Sequence, residues 1–461
     1  MLLKLPIRPG VVRDDPDYSL EGRWQGANLM RFYRGMLESV GGWEDRGPDM
    51  TPTDGSYIRE LFTWTSNDGT RYIALGGHNA LYVIASGAVT DITPSSGFTA
   101  GNVSGSDLQV WIADAWGEFL IATARGQGIY EWQLNTSNAA AALSNAPTQN
   151  NYAFVTPERH VMALGTQEQT TSTFDPMLLR FSDRNNNNIW DAGPLNLAGG
   201  FPLDEGNELV AGAPSKGQNL VWSDTAMYAI RSLSGDPDLV YGSELLGTNC
   251  GLLAPHAFVE HQGLALWMST NDQFFIYDGG TPKPLVSPVR KEVFDNLNRN
   301  QRDKIVAALN TKFNEVWWFY PFEPGDVFLL EDGSLLLQED GDDVLLEGAS
   351  DNENKRAVVY NYVEDVWAGP WLIRRSAWAD QGNLDRPIAV EIDPDTGDNR
   401  LYNHEVGHTD GDGDSIDFTA QTGWFDIGYF GDEGGDGDRV FDIDRVVPNI
   451  NVSGDVTFGL R

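Results

Sequence analysis

The sequence predicts an all-β fold, a propeller-like ring of short antiparallel blades, and three observations carry that prediction. Residues 61–94 hold four short apolar runs, 61–65, 72–75, 81–84 and 89–92, broken by Asn67-Asp68-Gly69, by Gly76-Gly77-His78-Asn79 and by Ser86-Gly87. Four such strands in succession make one blade. Modules of similar layout recur at 118–133, 220–241, 263–285, 315–371 and 387–404, too diverged for a fixed period. Finally, 50 Gly and 23 Pro supply turns, while 15 Trp, 15 Tyr and 21 Phe supply core.

Taken in order, the chain divides into an N-terminal extended arm (1–50), a propeller-like domain (51–408) and a C-terminal β region (409–461). The arm carries Gly22-Arg23-Trp24, Arg31-Phe32 and Gly41-Gly42-Trp43 among Pro and Gly, which reads as extended chain packed on something else. Residues 288–309 form the one helical stretch, because Val289, Val293, Phe294 and Leu297 recur at helical spacing after Pro288. No βαβ layout repeats around it, so it is expected as a small insertion on the ring. Residues 323–354 read as an inserted acidic three-stranded meander, three leucine-rich pulses separated by Glu331-Asp332-Gly333 and Glu339-Asp340-Gly341. The flanking runs 317–320 and 358–362 look like neighbouring strands of one blade, so the meander should project from the ring in search of a partner.

Charge narrows the partners. With 67 acidic against 31 basic residues the formal net charge is −36, which disfavours a groove that grips nucleic acid through its phosphates. The single cysteine, Cys250, excludes an internal disulfide framework and reads as a small buried side chain. Before Pro6 there is no apolar core of signal-peptide length, and no stretch approaches a membrane span, so synthesis and assembly inside a cell are expected.

Several constellations could carry chemistry, and each has a simpler reading. His404-Glu405-Val406-Gly407-His408 matches a zinc protease motif literally, but that chemistry needs both histidines on one helix face. Gly407 inside the motif and the strand-like residues before it argue against a helix. Asp183 through Asp191 places oxygen side chains at alternate positions, as a calcium loop does, yet lacks the central Gly and closing Glu, so an Asx-rich turn is favoured. Asp410 to Asp414 and Asp432 to Asp438 read as solvated acidic turns, and Glu364-Asp365 as a hairpin turn rather than half of a glycosidase pair. No phosphate-cradling Gly loop with Lys and no nucleophile elbow is present, so no catalytic, metal or cofactor-binding residue is assigned and the protein is expected not to be an enzyme.

Longer segments are similar to known proteins. Residues 246–256, Leu266-Trp267-Met268, 274–279, 288–294 and 313–321 resemble, in that order, tail proteins of short-tailed bacteriophages, particularly the hub or nozzle proteins also called packaged-DNA stabilisation proteins. The arm motifs, residues 220–228, 401–407 and 425–428 are similar to phage structural proteins of the same kind. That resemblance implies a non-enzymatic subunit of a homo-oligomeric ring, a hexamer, placed in the virion tail after assembly in the host cytoplasm. Its implied partners are portal-side tail adaptor proteins, tail fibre or needle proteins, and DNA that passes through the channel without sequence-specific contacts or membrane insertion. The 323–354 meander departs from the typical hub. A propeller that binds or cleaves glycans is the alternative, and its sign would be Trp and carboxylates clustered at one funnel mouth.

Overall fold

Seven four-stranded antiparallel sheets succeed one another along the chain in a computed structural model, and together they form a seven-bladed β-propeller. The structure describes residues 7–16, 20, 22–47, 51–52, 55–105, 108–233, 240–323, 352–393, 396–424, 457 and 459. Blade 1 comprises Ile58–Thr65, Arg71–Gly77, Leu81–Ala85 and Ala88–Asp91. The inner and outer strands of blades 2 to 6 begin at Trp111 and Ala141, Asn150 and Gly199, Leu209 and Tyr241, Phe258 and Lys283, and Val306 and Val366. In blade 7 the strands Ala377–Ala379, Ile388–Ile392 and Asn399–His404 are completed by Trp43–Asp45 from the arm. His404 pairs with Trp43 and Tyr402 with Asp45, so the two ends of the ring are stitched within one sheet.

Local chemistry explains the hairpins. At Ser86-Gly87, Arg34-Gly35 and Gln262-Gly263 both turn residues have positive φ, the geometry that matches strand twist and that glycine adopts without strain. Adjacent blades are then welded by aromatic pairs: Tyr72 to Trp132, Phe181 to Tyr241, Trp222 to Trp267, Phe274 to Trp318 and Trp317 to Trp378, all with ring centroids 4.9–5.7 Å apart. Such contacts add specific geometry to a large buried area. Inner strands also bond directly to their neighbours. Asp114 accepts the Val155 N–H at 2.7 Å, the Ala307 N–H donates to the His256 carbonyl at 2.7 Å, and Ser376 Oγ donates to the Ile58 carbonyl at 2.7 Å.

The last strand of the arm, Trp43–Asp45, belongs to the ring, and its other described strands form two small sheets of their own. Trp24–Asn28 pairs with Thr419–Thr422, and Met30–Tyr33 forms a hairpin with Met36–Ser39. The described part of the C-terminal region is therefore a partner of the arm. The helical stretch is shorter than its spacing predicts: Arg290–Phe294 is helical, 299–304 is a 3-10 turn, and Val306–Asn310 is already the inner strand of blade 6. The helix is an insertion between blades 5 and 6, and Asp14 of the arm accepts the Lys291 N–H at its first turn. Val289, Val293, Phe294 and Leu297 are buried, as the pattern requires. Most of the 323–354 meander and residues 432–438 lie outside the described residues, but the flanks of the meander pair as expected, with Phe319 opposite Ala357 and Pro321 opposite Asn354. Among the described residues no helix is long and apolar enough to cross a membrane.

Candidate functional site

Propellers commonly place function at the central channel, and here a loop of the chain enters it. Residues 249–257 join the outer strand of blade 4 to the inner strand of blade 5. Cys250 N donates to the Thr225 carbonyl, Leu252 N to Ser223 and Leu253 N to Met268, so the loop is sewn to blades 4 and 5. Trp267 Nε1 donates to the Cys250 carbonyl at 2.8 Å and Trp318 Nε1 to Ala257 at 3.2 Å. At Gly251 a β-carbon would lie 2.1 Å from the backbone of Asp224, so only glycine allows this approach.

The loop carries His256 across the ring. Its Nε2 lies 3.1 Å from the Trp111 carbonyl of blade 2 and 3.4 Å from Glu60 Oε2 of blade 1, neither of which neighbours blade 5. Glu60 also accepts the Ala113 N–H at 3.3 Å. Burial pushes the Glu60 carboxyl up to about 8, helped by the nearby Asp114 charge, and pushes Asp114 up to about 6. The same burial lowers His256 to about 4, so at neutral pH the imidazole is uncharged and Glu60 largely protonated. Tyr152, nine-tenths buried, is raised by burial and by the charges of Glu60 and Asp114. Further bridges span the ring nearby: Arg125 to Asp303 at 2.7 Å, and Glu353 to both Arg59 and Lys304 at 2.8 Å. Burial works against the Glu353 charge, but Arg59 and Lys304 overcome it and hold the carboxyl down at about 2. A shallow cleft of about 330 Å³ remains beside Arg125, lined by Glu208, Asp224, Arg302 and Asp303.

A second buried cluster fixes the arm. Arg31 Nε lies 3.3 Å from Glu315 of blade 6, and its two terminal nitrogens reach the Glu405 carboxylate. Glu405 also accepts the Gly41 N–H at 3.1 Å and Asn310 Nδ2 at 2.9 Å. The Arg31 guanidinium lies over the Phe313 ring, 3.7 Å from its centroid.

The residues singled out from sequence take structural places. His404 ends a strand, Glu405 and Gly407 have positive φ, and Gly407-His408 form a turn, so the helix that a zinc motif needs is not formed. His404 Nε2 instead accepts from Arg375 Nε at 2.7 Å, and burial drives its pKa well down. Glu405 belongs to the arm cluster rather than to the strand. In the stretch from Asp183 to Asp191 the side-chain oxygens are occupied by the chain itself: Asp183 accepts Leu197 N, Asn186 accepts Asn188 N, and Asn188 accepts Ser144 N. Asp410 likewise accepts the N–H groups of Asp412 and Asp414, forming an acidic turn. Glu364 sits in the blade 6 hairpin and accepts the N–H groups of Arg34 and Gly35, which clamps the arm's turn. Cys250 is buried, and burial pushes its thiol up to about 11. Among the described residues no cluster of three or more His, Cys, Asp or Glu could hold a metal ion. Sequence reasoning did not single out Glu60, Asp114, Tyr152, His256, Arg31 or Glu315 as a site. The available signal was a charged residue inside a strand-like run, as at Arg59-Glu60 within Ile58–Thr65 and Asp114 within Trp111–Trp116.

No family model matches the chain, and no curated protein matches it in sequence. Among solved structures it is similar to the computationally designed Ika8 protein, at 11% identity and TM-score 0.39 over 77% of this chain and 100% of that one. It is also similar to the RRP9 WD40 repeats, at 9% identity and TM-score 0.45 over 79% of this chain and 100% of that one.

Proposed function

We propose that the chain is a structural subunit of a tail hub or nozzle ring of a short-tailed bacteriophage, one that links the portal and adaptor to the distal tail, retains packaged DNA and conducts it at ejection. The observation that carries this reading is where the phage-like segments fall. Residues 246–256 run from the end of the blade 4 outer strand into the loop that carries His256 across the ring, 313–321 include Glu315 and the second strand of blade 6, and 401–407 supply His404 and Glu405 at the ring closure. Part of the resemblance therefore lies in residues that hold the ring shut, and these suit a load-carrying subunit better than a catalyst.

A channel crossed by His256 leaves no route for a duplex through one propeller. DNA would run through the lumen of an assembled homo-oligomeric ring, a hexamer, whose net charge of −36 per subunit limits adhesion to phosphates. A glycan platform would need exposed tryptophans, whereas Trp424 is the exposed one and the others pack inward. Native mass spectrometry tests the proposal. A closed oligomer of single stoichiometry is expected, and a monomer at every concentration together with measurable oligosaccharide binding would overturn it.

A further inference from the structure

The arm cluster holds more negative charge than its one cation can balance. Arg31 faces Glu315 at 3.3 Å and the Glu405 carboxylate, and Glu38 is its directly opposed cross-strand partner in the arm hairpin. Arg31 and Glu315 side chains are each 1% exposed and Glu405 is 5% exposed. With Glu315 and Glu405 both ionised the buried part of the cluster carries a net charge of −1, the half-buried Glu38 adds a further negative charge at its edge, and burying unbalanced charge is strongly unfavourable. Among the described residues, the surrounding groups do not supply the missing cation. Arg34 and Glu364 interact with Glu38 and offset one another, Lys312 reaches the Phe313 ring, and Arg375 is committed to Glu391 and to His404, itself neutral.

We propose that the arm hairpin is a proton-linked clasp, seated on blades 6 and 7 when the carboxylates around Arg31 share a proton and loosened when that proton leaves. Glu315 is the group that takes it. Glu405 is saturated by Arg31, Gly41 and Asn310, whereas Glu315 receives one Trp317 Nε1 bond at 2.9 Å and a longer approach from Arg31. Burial raises the Glu315 carboxyl to about 7, with the Arg31 charge opposing and the Glu405 and Glu38 charges assisting, and Glu38 is itself raised. Lifting the arm takes away Arg31, which lowers the Glu315 carboxyl, but it also opens the carboxyl to water, and because burial is the larger cause the carboxyl falls toward its ordinary value of 4.5. Docking therefore binds a proton: it is favoured below the ordinary value, and the advantage is lost as pH rises through 7.

Hydrogen exchange followed by mass spectrometry on the full chain tests this, with rates normalised to intrinsic exchange at each pH. From pH 5.5 to 8.5 the protection of peptides covering residues 24–45 should fall about 30-fold, while peptides of blade 4 do not follow that profile. Glu315→Gln, which keeps an acceptor for Trp317, should flatten the arm's profile. Arm protection independent of pH in the wild type overturns the clasp even where the variant does not fold, and an undiminished slope in Glu315→Gln overturns the assignment to Glu315.

Discussion

Glu60→Gln isolates the cost of the carboxyl that faces the plug. Glu60 is about 8 in the ring against 4.5 ordinarily, so the folded state holds its proton longer than the unfolded chain. Stability from this group is complete below 4.5 and is lost as pH rises through 8. The window from pH 7 to 9 separates it from its neighbours, because Asp114 at about 6 and His256, between 4 and 6.5, have finished titrating. Over that window Glu60 accounts for a loss of about 1.4 kcal/mol, and Glu315, at about 7, for roughly 0.4 kcal/mol. Glutamine mimics the neutral carboxyl: its amide oxygen can accept the Ala113 N–H, and its NH2 donates where the carboxyl has its O–H. Urea unfolding followed by tryptophan fluorescence at pH 7, 8 and 9 should show the wild type losing nearly 2 kcal/mol and the variant only the smaller share. Equal losses in both proteins would refute the placement of that proton.

Three other substitutions probe separate parts. Phe294→Asp puts a charge where a 2%-exposed ring packs 5.1 Å from Phe274, and thermal unfolding should report a loss of about 3 kcal/mol; an unchanged melting temperature would place the helix on the surface. Gly251→Ala forces the plug loop away from the Asp224 backbone at a cost of about 1–3 kcal/mol, with exchange protection of residues 249–257 reduced more than that of blade 1. His404→Ala leaves Arg375 Nε without its acceptor and should destabilise by about 2–4 kcal/mol, while plasma mass spectrometry finds the same metal content in both proteins. A stoichiometric zinc lost with His404 would contradict this arrangement.

Much of the ring was readable because blade hairpins are local. The runs at 61–94 became blade 1, and the modules at 220–241, 263–285 and 387–404 fall within blades 4, 5 and 7. Blade 3 was not read, because residues 182–198 separate Phe174–Phe181 from Gly199–Pro202 with an Asx-rich loop that breaks the spacing. Strand Trp43–Asp45 was read as arm because pairing across the length of a chain leaves no local signature. The same holds for the sites. A charge inside an apolar strand can be seen at Glu60, but the sequence does not show that His256 meets it from blade 5, nor that Arg31 meets Glu315 and Glu405 from two blades. Gly407 signalled that the residues after His404 are not helical, as their positive φ shows, yet the bond of His404 to Arg375 was invisible.

Electron cryomicroscopy of the purified protein tests the central proposal most directly. It should show closed rings in which each subunit's own channel is filled at His256 and a separate lumen, wide enough for a duplex, lies between subunits. Isolated propellers with an open channel at His256, and no ring at any protein concentration, would contradict it.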